Sequence, residues 1–413
     1  MKNGVVIVGS GHAGVQAAAS LREDGYDGPV VLVSDEADLP YHKPPLSKTF
    51  IKDAEAKPQP LRGEAFSTGN AIDFRPGTRI ERIDAAGRSL DVAGGAPIAF
   101  DKLILATGSR PRLLPLPGAD LAGVVSLRSL GDARTIRDLS ARSDQVVILG
   151  GGFIGLEIAA TLRAAGREVT VVEAVDRLLG RAVAPVIAAH VRQRLEATGV
   201  RILTGTTVAR LEGENGHVVA AVTSSGERLP AGMVIVGIGV VPNVELAQGA
   251  GIAIANGIRV DAQMRTSLPD ILAIGDAASY RHWFTGNDVR LESVQNATDQ
   301  ARLAARTITG HEDAYSAVPW FWSDIGDMKL QMVGLTAGGD SHVVAGDLAE
   351  NKFSIYHYAG DRLLGIESVN HAGHHMLGRK MLGAGFSPTP QAVQAGPDGL
   401  KAALAAFQEK ANA

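Results

Sequence analysis

The sequence predicts an α/β chain of parallel sheets with a smaller C-terminal α+β region, and three observations predict it. First, the apolar run Val5-Val6-Ile7-Val8 enters Gly9-Ser10-Gly11-His12-Ala13-Gly14, the pattern of a buried parallel strand leading into a crossover helix. Second, the same grammar returns in Val146-Val147-Ile148-Leu149 followed by Gly150-Gly151-Gly152-Phe153-Ile154-Gly155. Third, from Val318 the texture changes to tryptophans, turn glycines and alternating polar and apolar residues, as in Lys352-Phe353-Ser354-Ile355-Tyr356-His357-Tyr358 before Gly360-Asp361, which reads as a β-rich unit.

The elements follow in order. In the first unit a helix over Val15 to Arg22 leads to a strand over Val30 to Val33 that ends at Asp35, and a later strand runs from Phe100-Asp101-Lys102 through Leu103-Ile104-Leu105 into Ala106-Thr107-Gly108. In the second unit a helix over Leu156 to Ala165 leads to Val169 to Val172, ending at Glu173, and an exit strand runs from Met233 through Gly237-Ile238-Gly239. Ile271-Leu272-Ala273-Ile274 then ends at Gly275-Asp276, and an Ala- and Arg-rich helix from Ser293 to Thr309 returns the chain to the first domain. The expected domains are 1–112 with 244–317, interrupted by 113–243, and then 318–413. The Ala-rich tail from Leu400 is an end helix or a frayed terminus.

Composition narrows the function. At 413 residues the chain suits two or three cores. A net charge of −4 and the lack of any Lys/Arg block argue against nucleic acid. No apolar stretch reaches the roughly 18 residues that span a bilayer, and the first strand begins too early for a secretion signal, so the expected location is the cytoplasm. There is no cysteine, which removes disulfides, thiolate nucleophiles, zinc-thiolate sites and protein-bound iron-sulfur clusters. Electrons passing through this chain would need a bound organic cofactor.

In Gly9-x-Gly11-x-x-Gly14 the first glycine permits a tight turn, the second lets the backbone approach a pyrophosphate, and the third lets helix pack on strand. The helix N-terminus then offers free N–H groups and a positive dipole end. Asp35, 21 residues beyond Gly14, is placed to accept from a ribose hydroxyl, a role Glu36 could also take. Gly150, Gly152 and Gly155 repeat the pattern, with Glu173 following 18 residues after Gly155. A carboxylate there accepts from a free 2′-hydroxyl and repels a 2′-phosphate, favouring NADH over NADPH. Arg177 and Arg181 lie close enough in sequence to soften that preference. Glycine patterns alone do not say which unit holds which cofactor.

The N-terminal glycine motif, Ala106-Thr107-Gly108, the central nucleotide unit and Thr266 to Asp276 together resemble the FAD-dependent pyridine nucleotide reductases, with their glutathione-reductase-like fold of two Rossmann-like domains. Within that group the chain most resembles the NADH-dependent ferredoxin reductases of bacterial cytochrome P450 and dioxygenase systems. Pro44-Pro45-Leu46-Ser47-Lys48, Gly151-Gly152-Phe153-Ile154-Gly155-Leu156-Glu157, Glu292 to Ala297 and Pro319-Trp320-Phe321-Trp322-Ser323-Asp324 carry the likeness. The resemblance implies that the first unit holds FAD, through Ala13, Asp35, Lys48, Ile80, Arg128, Asp276 and Val294, with Trp322 near the ring. It implies NADH on the second unit, bounded by Gly150 to Gly155, Glu173 and Gly239. The cysteines that serve the disulfide reductases and peroxidases of this fold are missing, so the chemistry is expected to stop at the flavin.

Hydride transfer of this kind is governed by positioning. Lys48 is expected to balance negative charge gained by the reduced flavin, and Glu157 to pair with Lys48 or contact the nicotinamide ribose. Phe153 either covers the flavin face or packs under its own helix, and Trp320 is expected in the core. The implied partner is an acidic two-iron two-sulfur ferredoxin serving a cytochrome P450 or other oxygenase, met through a transient, salt-sensitive contact. Arg62, Arg302 and Arg306 are candidate docking charges, or solvated helix-face arginines. The alternatives are a reductase of rubredoxin, a quinone or an ascorbate radical, and a redox-sensing flavoprotein resembling apoptosis-inducing factor. His371, His374 and His375, with Gly373 and Gly378 among them and no nearby thiolate, are read as a flexible polar stretch rather than a metal site.

Overall fold

The computed structural model describes residues 3–63, 65–180 and 182–412; Arg181 lies outside the described residues. Contacts divide the chain into two units, one of residues 1–42, 58–110 and 240–317, the other of 43–57, 111–239 and 318–413.

The first unit is built on a five-stranded parallel sheet in the order Ile271–Ala273, Lys102–Leu105, Val5–Val8, Val30–Val33, Ile72–Arg75. Val5–Val8 sits in the middle, with Val5 beside Val30 on one side and Lys102 on the other. Both faces of that strand are covered, which is why every residue in it is apolar and buried. The helix His12–Glu23 follows the first glycine turn and packs on the helix Val294–Ile308. Ser293 caps the latter, its hydroxyl accepting from the Asn296 amide at 3.0 Å, which is what starts that helix at Val294.

The second unit carries a second parallel sheet in the order Arg201–Leu203, Glu168–Val172, Gln145–Leu149, Met233–Val236, Val124–Val125. A three-stranded antiparallel sheet of Val208–Glu214, His217–Thr223 and Arg228–Pro230 accompanies it. Ser129 and Asp132 form a reciprocal capping box that begins the helix Leu130–Ser140. The region after 318 is a five-stranded antiparallel sheet in the order Trp320–Ile325, Met328–Gly334, Arg362–Val369, Lys352–Ala359, Ser341–Asp347. The terminal segment Gly396–Asn412 is helical. Among the described residues no helix is long and apolar enough to cross a membrane.

Two expectations need correction. The stretch around His371 is the start of the helix Ala372–Gly383, and His374 and His375 are 1% and 3% exposed. Gly378, read as a sign of flexibility, is instead a packing residue, because a Cβ there would stand 2.6 Å from Ile366 Cδ1. Trp320 is half-buried rather than core, stacked on Trp322 at 5.7 Å with the Arg379 guanidinium 4.5 Å from its ring centre.

Candidate functional site

The two glycine turns share one backbone conformation at their first glycine. Gly9 has φ of +108° and Gly150 of +109°, and a Cβ on either would stand 2.2 or 2.3 Å from the carbonyl oxygen of Ala106 or Gly237. Only glycine fits that conformation and approach. Gly14 and Gly155 close the turns, with a Cβ at 1.8 and 2.4 Å from the Gly9 and Gly150 oxygens. In contrast, a Cβ on Gly11 or Gly152 meets nothing within 4 Å among the described residues. Those two residues are the N-caps of the helices His12–Glu23 and Phe153–Ala164; neither is capped by a side chain and neither helix has an acidic residue in its first turn. Open space in front of uncapped amides is what a pyrophosphate requires, so both turns fit a dinucleotide.

Around the first turn, Ala106 is buried beneath Gly9, and Thr107 exchanges two hydrogen bonds with Asn243, donating at 2.7 Å and accepting at 2.9 Å. Gly108 turns the chain with φ of +65°. The strand-end acid differs between the units. Gly9 N–H donates to the Val33 oxygen as Gly150 N–H does to that of Val172, so the register of Glu173 falls on Ser34, and Asp35 stands one residue later. Asp35 is exposed and carries no hydrogen bond or ion pair among the described residues, whereas Glu36 accepts from the Tyr41 hydroxyl at 2.5 Å. Asp35 is thus the freer acceptor.

Asp276 lies in the short helical turn Gly275–Ala277, its carboxylate accepting from Ser109 at 3.2 Å and its backbone oxygen from Arg290 at 3.0 Å. Val294 is half-buried at the first turn of its helix. Ile80 is a core residue, 7% exposed, so its side chain packs inward.

The second turn opens on a cavity of about 1220 Å³ lined by Gly150, Gly152, Phe153, Glu173, Arg177 and Gly239 among others, ample for a dinucleotide. Glu173 Oε2 accepts from the Gly151 amide at 2.6 Å and Oε1 from Val175 at 3.0 Å, which fixes the carboxylate at the cavity wall with lone pairs to spare. The Arg177 guanidinium is engaged by the Gly180 oxygen. Ile154 is 44% exposed beside the turn. Phe153 sits edge-on to Phe321 at 4.7 Å and packs against the core of its own unit.

The same unit holds a buried charged cluster. Glu157, 6% exposed, pairs through Oε2 with Lys48 Nζ at 2.8 Å. Ser47 Oγ donates to that oxygen at 2.5 Å, and Ser323 Oγ and the Asp324 amide donate to Oε1 at 2.6 and 3.3 Å. Of the two roles expected for Glu157, the structure shows the pairing with Lys48. Ser47 and Ser323 come from positions 110 and 166 residues away along the chain, and nothing local in the sequence signals the contact. Trp322 is on the same strand as Ser323. Arg128 precedes the capping box, its carbonyl accepting from Lys43 at 3.2 Å. The candidate docking charges all have partners: Arg62 donates to Gln16, Arg302 pairs with Asp299 and Arg306 with Asp313.

A family model described as pyridine nucleotide-disulphide oxidoreductase matches residues 3–301, and one described as reductase C-terminal matches 320–404. Rhodocoxin reductase of Rhodococcus erythropolis is 43% identical over 98% of this chain and 95% of its own length. Rubredoxin-NAD(+) reductase of Pseudomonas putida is 43% identical over 89% and 95%. The solved ferredoxin reductase for the CYP199A2 system from Rhodopseudomonas palustris aligns with a TM-score of 0.94 at 45% identity, over 97% of this chain and 100% of that one. The reductase in a covalent putidaredoxin reductase–putidaredoxin complex aligns at 0.93 with 37% identity, over 98% of each. With a family model that spans residues 3–301 and relatives 43% identical over nearly their whole length, this chain belongs to the pyridine nucleotide-disulphide oxidoreductase family, as an oxidoreductase of the ferredoxin and rubredoxin reductase kind that uses FAD and NADH.

Proposed function

We propose that the protein is an NADH:ferredoxin oxidoreductase that delivers electrons to a two-iron two-sulfur ferredoxin serving a cytochrome P450 or related oxygenase. The observation that carries this reading is the cysteine-free sequence in a family named for its disulphide: with no dithiol to receive them, electrons must leave for an external acceptor. Full-length likeness to reductases named for such acceptors supports it. When bound, FAD supplies a centre that takes an electron pair from NADH and gives electrons up singly, which a one-electron acceptor needs.

The chain's own residues divide the work. Gly9, Gly11, Gly14, Ala13, Asp35, Ala106 to Gly108, Asp276 and Val294 would hold FAD, with Ile80 and Arg128 contributing backbone. Gly150, Gly152, Gly155, Ile154, Glu173 and Gly239 would hold NADH, with Glu173 selecting against a 2′-phosphate. Lys48, set by Glu157, would offset charge on the reduced flavin, and Phe153 and Trp322 would shape its surroundings. We assign FAD binding to 1–112 with 244–317, NADH binding to 113–243 and a C-terminal domain to 318–413, and place the protein in the cytoplasm, where NADH is supplied. A rubredoxin acceptor is the second reading, favoured by the 43% identity to rubredoxin-NAD(+) reductase.

Stopped-flow mixing of the yellow protein with NADH, then with a two-iron two-sulfur ferredoxin or a rubredoxin, tests the reading. Rapid bleaching by NADH and faster recovery with the ferredoxin are expected. Faster recovery with rubredoxin would move the assignment to the second reading. Slow bleaching and no acceptor turnover would overturn both.

A further inference from the structure

We propose that Ser323 is a positioning residue for the redox centre: its hydroxyl, from the C-terminal sheet, holds the Glu157 carboxylate so that Lys48 keeps its charge available to the flavin. This rests on the proposed role of Lys48 and goes beyond it by making a remote serine part of the machinery.

Glu157 projects from the helix Phe153–Ala164 into a site where its side chain is only 8% exposed. A carboxylate so enclosed must find its donors within the protein. The donors are divided between the two oxygens. Lys48 and Ser47 take Oε2, while Ser323, itself 1% exposed, takes Oε1 at 2.6 Å with a longer contact from the Asp324 amide at 3.3 Å. Thr161, one turn further along the helix, donates to the Ser47 carbonyl at 3.0 Å and so fixes the segment that bears Lys48. Ser323 is the sole short donor to Oε1 among the described residues. Without it the carboxylate turns its unmet demand on Lys48, neutralising the ammonium more completely and drawing it from the geometry it now has. Charge held back from the flavin makes the reduced form less favourable.

Two readouts test this on the FAD-loaded protein: the flavin midpoint potential and the single-turnover rate of reduction by NADH. For Ser323→Ala a more negative potential and a reduction rate slowed about tenfold are expected, in keeping with the loss of one charge-assisted hydrogen bond, while the apparent Kd for NADH stays as in wild type. Ser323→Thr should restore both values. In a Lys48→Met background Ser323→Ala should change neither value further, since a residue that acts through Lys48 is not additive with it; additive effects would mark Ser323 as merely structural and overturn the proposal. Should Ser323→Ala not fold, Ser323→Cys, a much weaker donor of nearly the same shape, carries the same comparison. An unchanged potential and rate in a yellow, folded variant would also overturn it. Failure of wild type to bind FAD would instead sink the proposed function.

Discussion

A Cβ placed on Gly14 would stand 1.8 Å from the Gly9 carbonyl oxygen, whereas one on Gly11, three residues earlier, would meet nothing within 4 Å among the described residues. The two glycines therefore do different work: Gly14 lets the helix approach the turn, and Gly11 leaves room in front of it. Gly14→Ala is expected to destabilise the first unit by about 1–3 kcal/mol or more, seen as an earlier unfolding transition. Gly11→Val should leave the circular dichroism spectrum unchanged and yield colourless protein. A Gly11→Val variant with full FAD occupancy would refute the pyrophosphate role. The matching Gly152→Val variant should stay yellow and lose NADH binding, because the open space there belongs to the other turn.

Glu157 allows a test of what the buried cluster contributes to stability. Removing one partner of a buried, hydrogen-bonded ion pair leaves the others unsatisfied and costs roughly 3–5 kcal/mol. Glu157→Ala strands Lys48, Ser47 and Ser323 together, so its urea midpoint should fall clearly below that of Glu157→Gln, whose amide oxygen still accepts. Equal midpoints for the two variants would mean that the cluster relaxes without penalty.

What the sequence made legible and what it hid have physical causes. The strands at Val5 and Val146 and the turns after them were readable because a parallel strand covered on both faces must be apolar throughout, and because a φ near +108° with an oxygen 2.2 Å from any Cβ admits only glycine. Such constraints are local. Ser47 and Ser323 were not readable, since a serine that meets a carboxylate 110 or 166 positions away looks like any other serine. Nor was the placement of residues 43–57 with the second unit, set by packing and by the Lys48–Glu157 pair. Both strands end beside an acid, yet the hydrogen-bond register that matches Glu173 with Ser34 and sets Asp35 one residue later is visible only in the fold. The glycines near His371 suggested a loop because a glycine needed for close helix packing and one needed for flexibility are written alike.

A substitution can separate the hydrogen bonds that Glu173 makes from the selectivity proposed for it. It ties the Gly151 amide through one oxygen and Val175 through the other, and the same charge faces the cavity where a 2′-substituent would lie. Glu173→Gln should keep an acceptor and weaken NADH affinity only modestly, while Glu173→Arg should raise the apparent Kd for NADH by at least tenfold and narrow the preference over NADPH, since the repelling charge is gone. Titration of both nucleotides by flavin bleaching measures the ratio. An unchanged ratio in Glu173→Arg would remove the carboxylate from selectivity.

His374 and His375 make the second unit sensitive to acid. Burial lowers both from the ordinary 6.5 to about 4, helped by His371 for the first and by Arg379 and Lys329 for the second. Between those limits the unfolded chain takes up protons that the folded one refuses, so the stability these groups contribute is complete above pH 6.5 and is lost as pH falls toward 4. A shift of that size in two groups amounts to several kcal/mol, on the order of 3 each. Carboxylates also titrate near the lower limit, so the comparison must be with a variant. Among the described residues His375 Nδ1 is buried without a hydrogen-bond partner, and the ring lies edge-on to Trp320 at 5.9 Å, so His375→Phe keeps the contact, forfeits no hydrogen bond at Nδ1 and cannot be protonated. Its urea midpoint should match or exceed wild type at pH 7.5 and fall less steeply between pH 6.5 and 4.5. Parallel curves for the two proteins over that range would show that His375 is protonated without cost to the fold, and that its burial is not what resists acid.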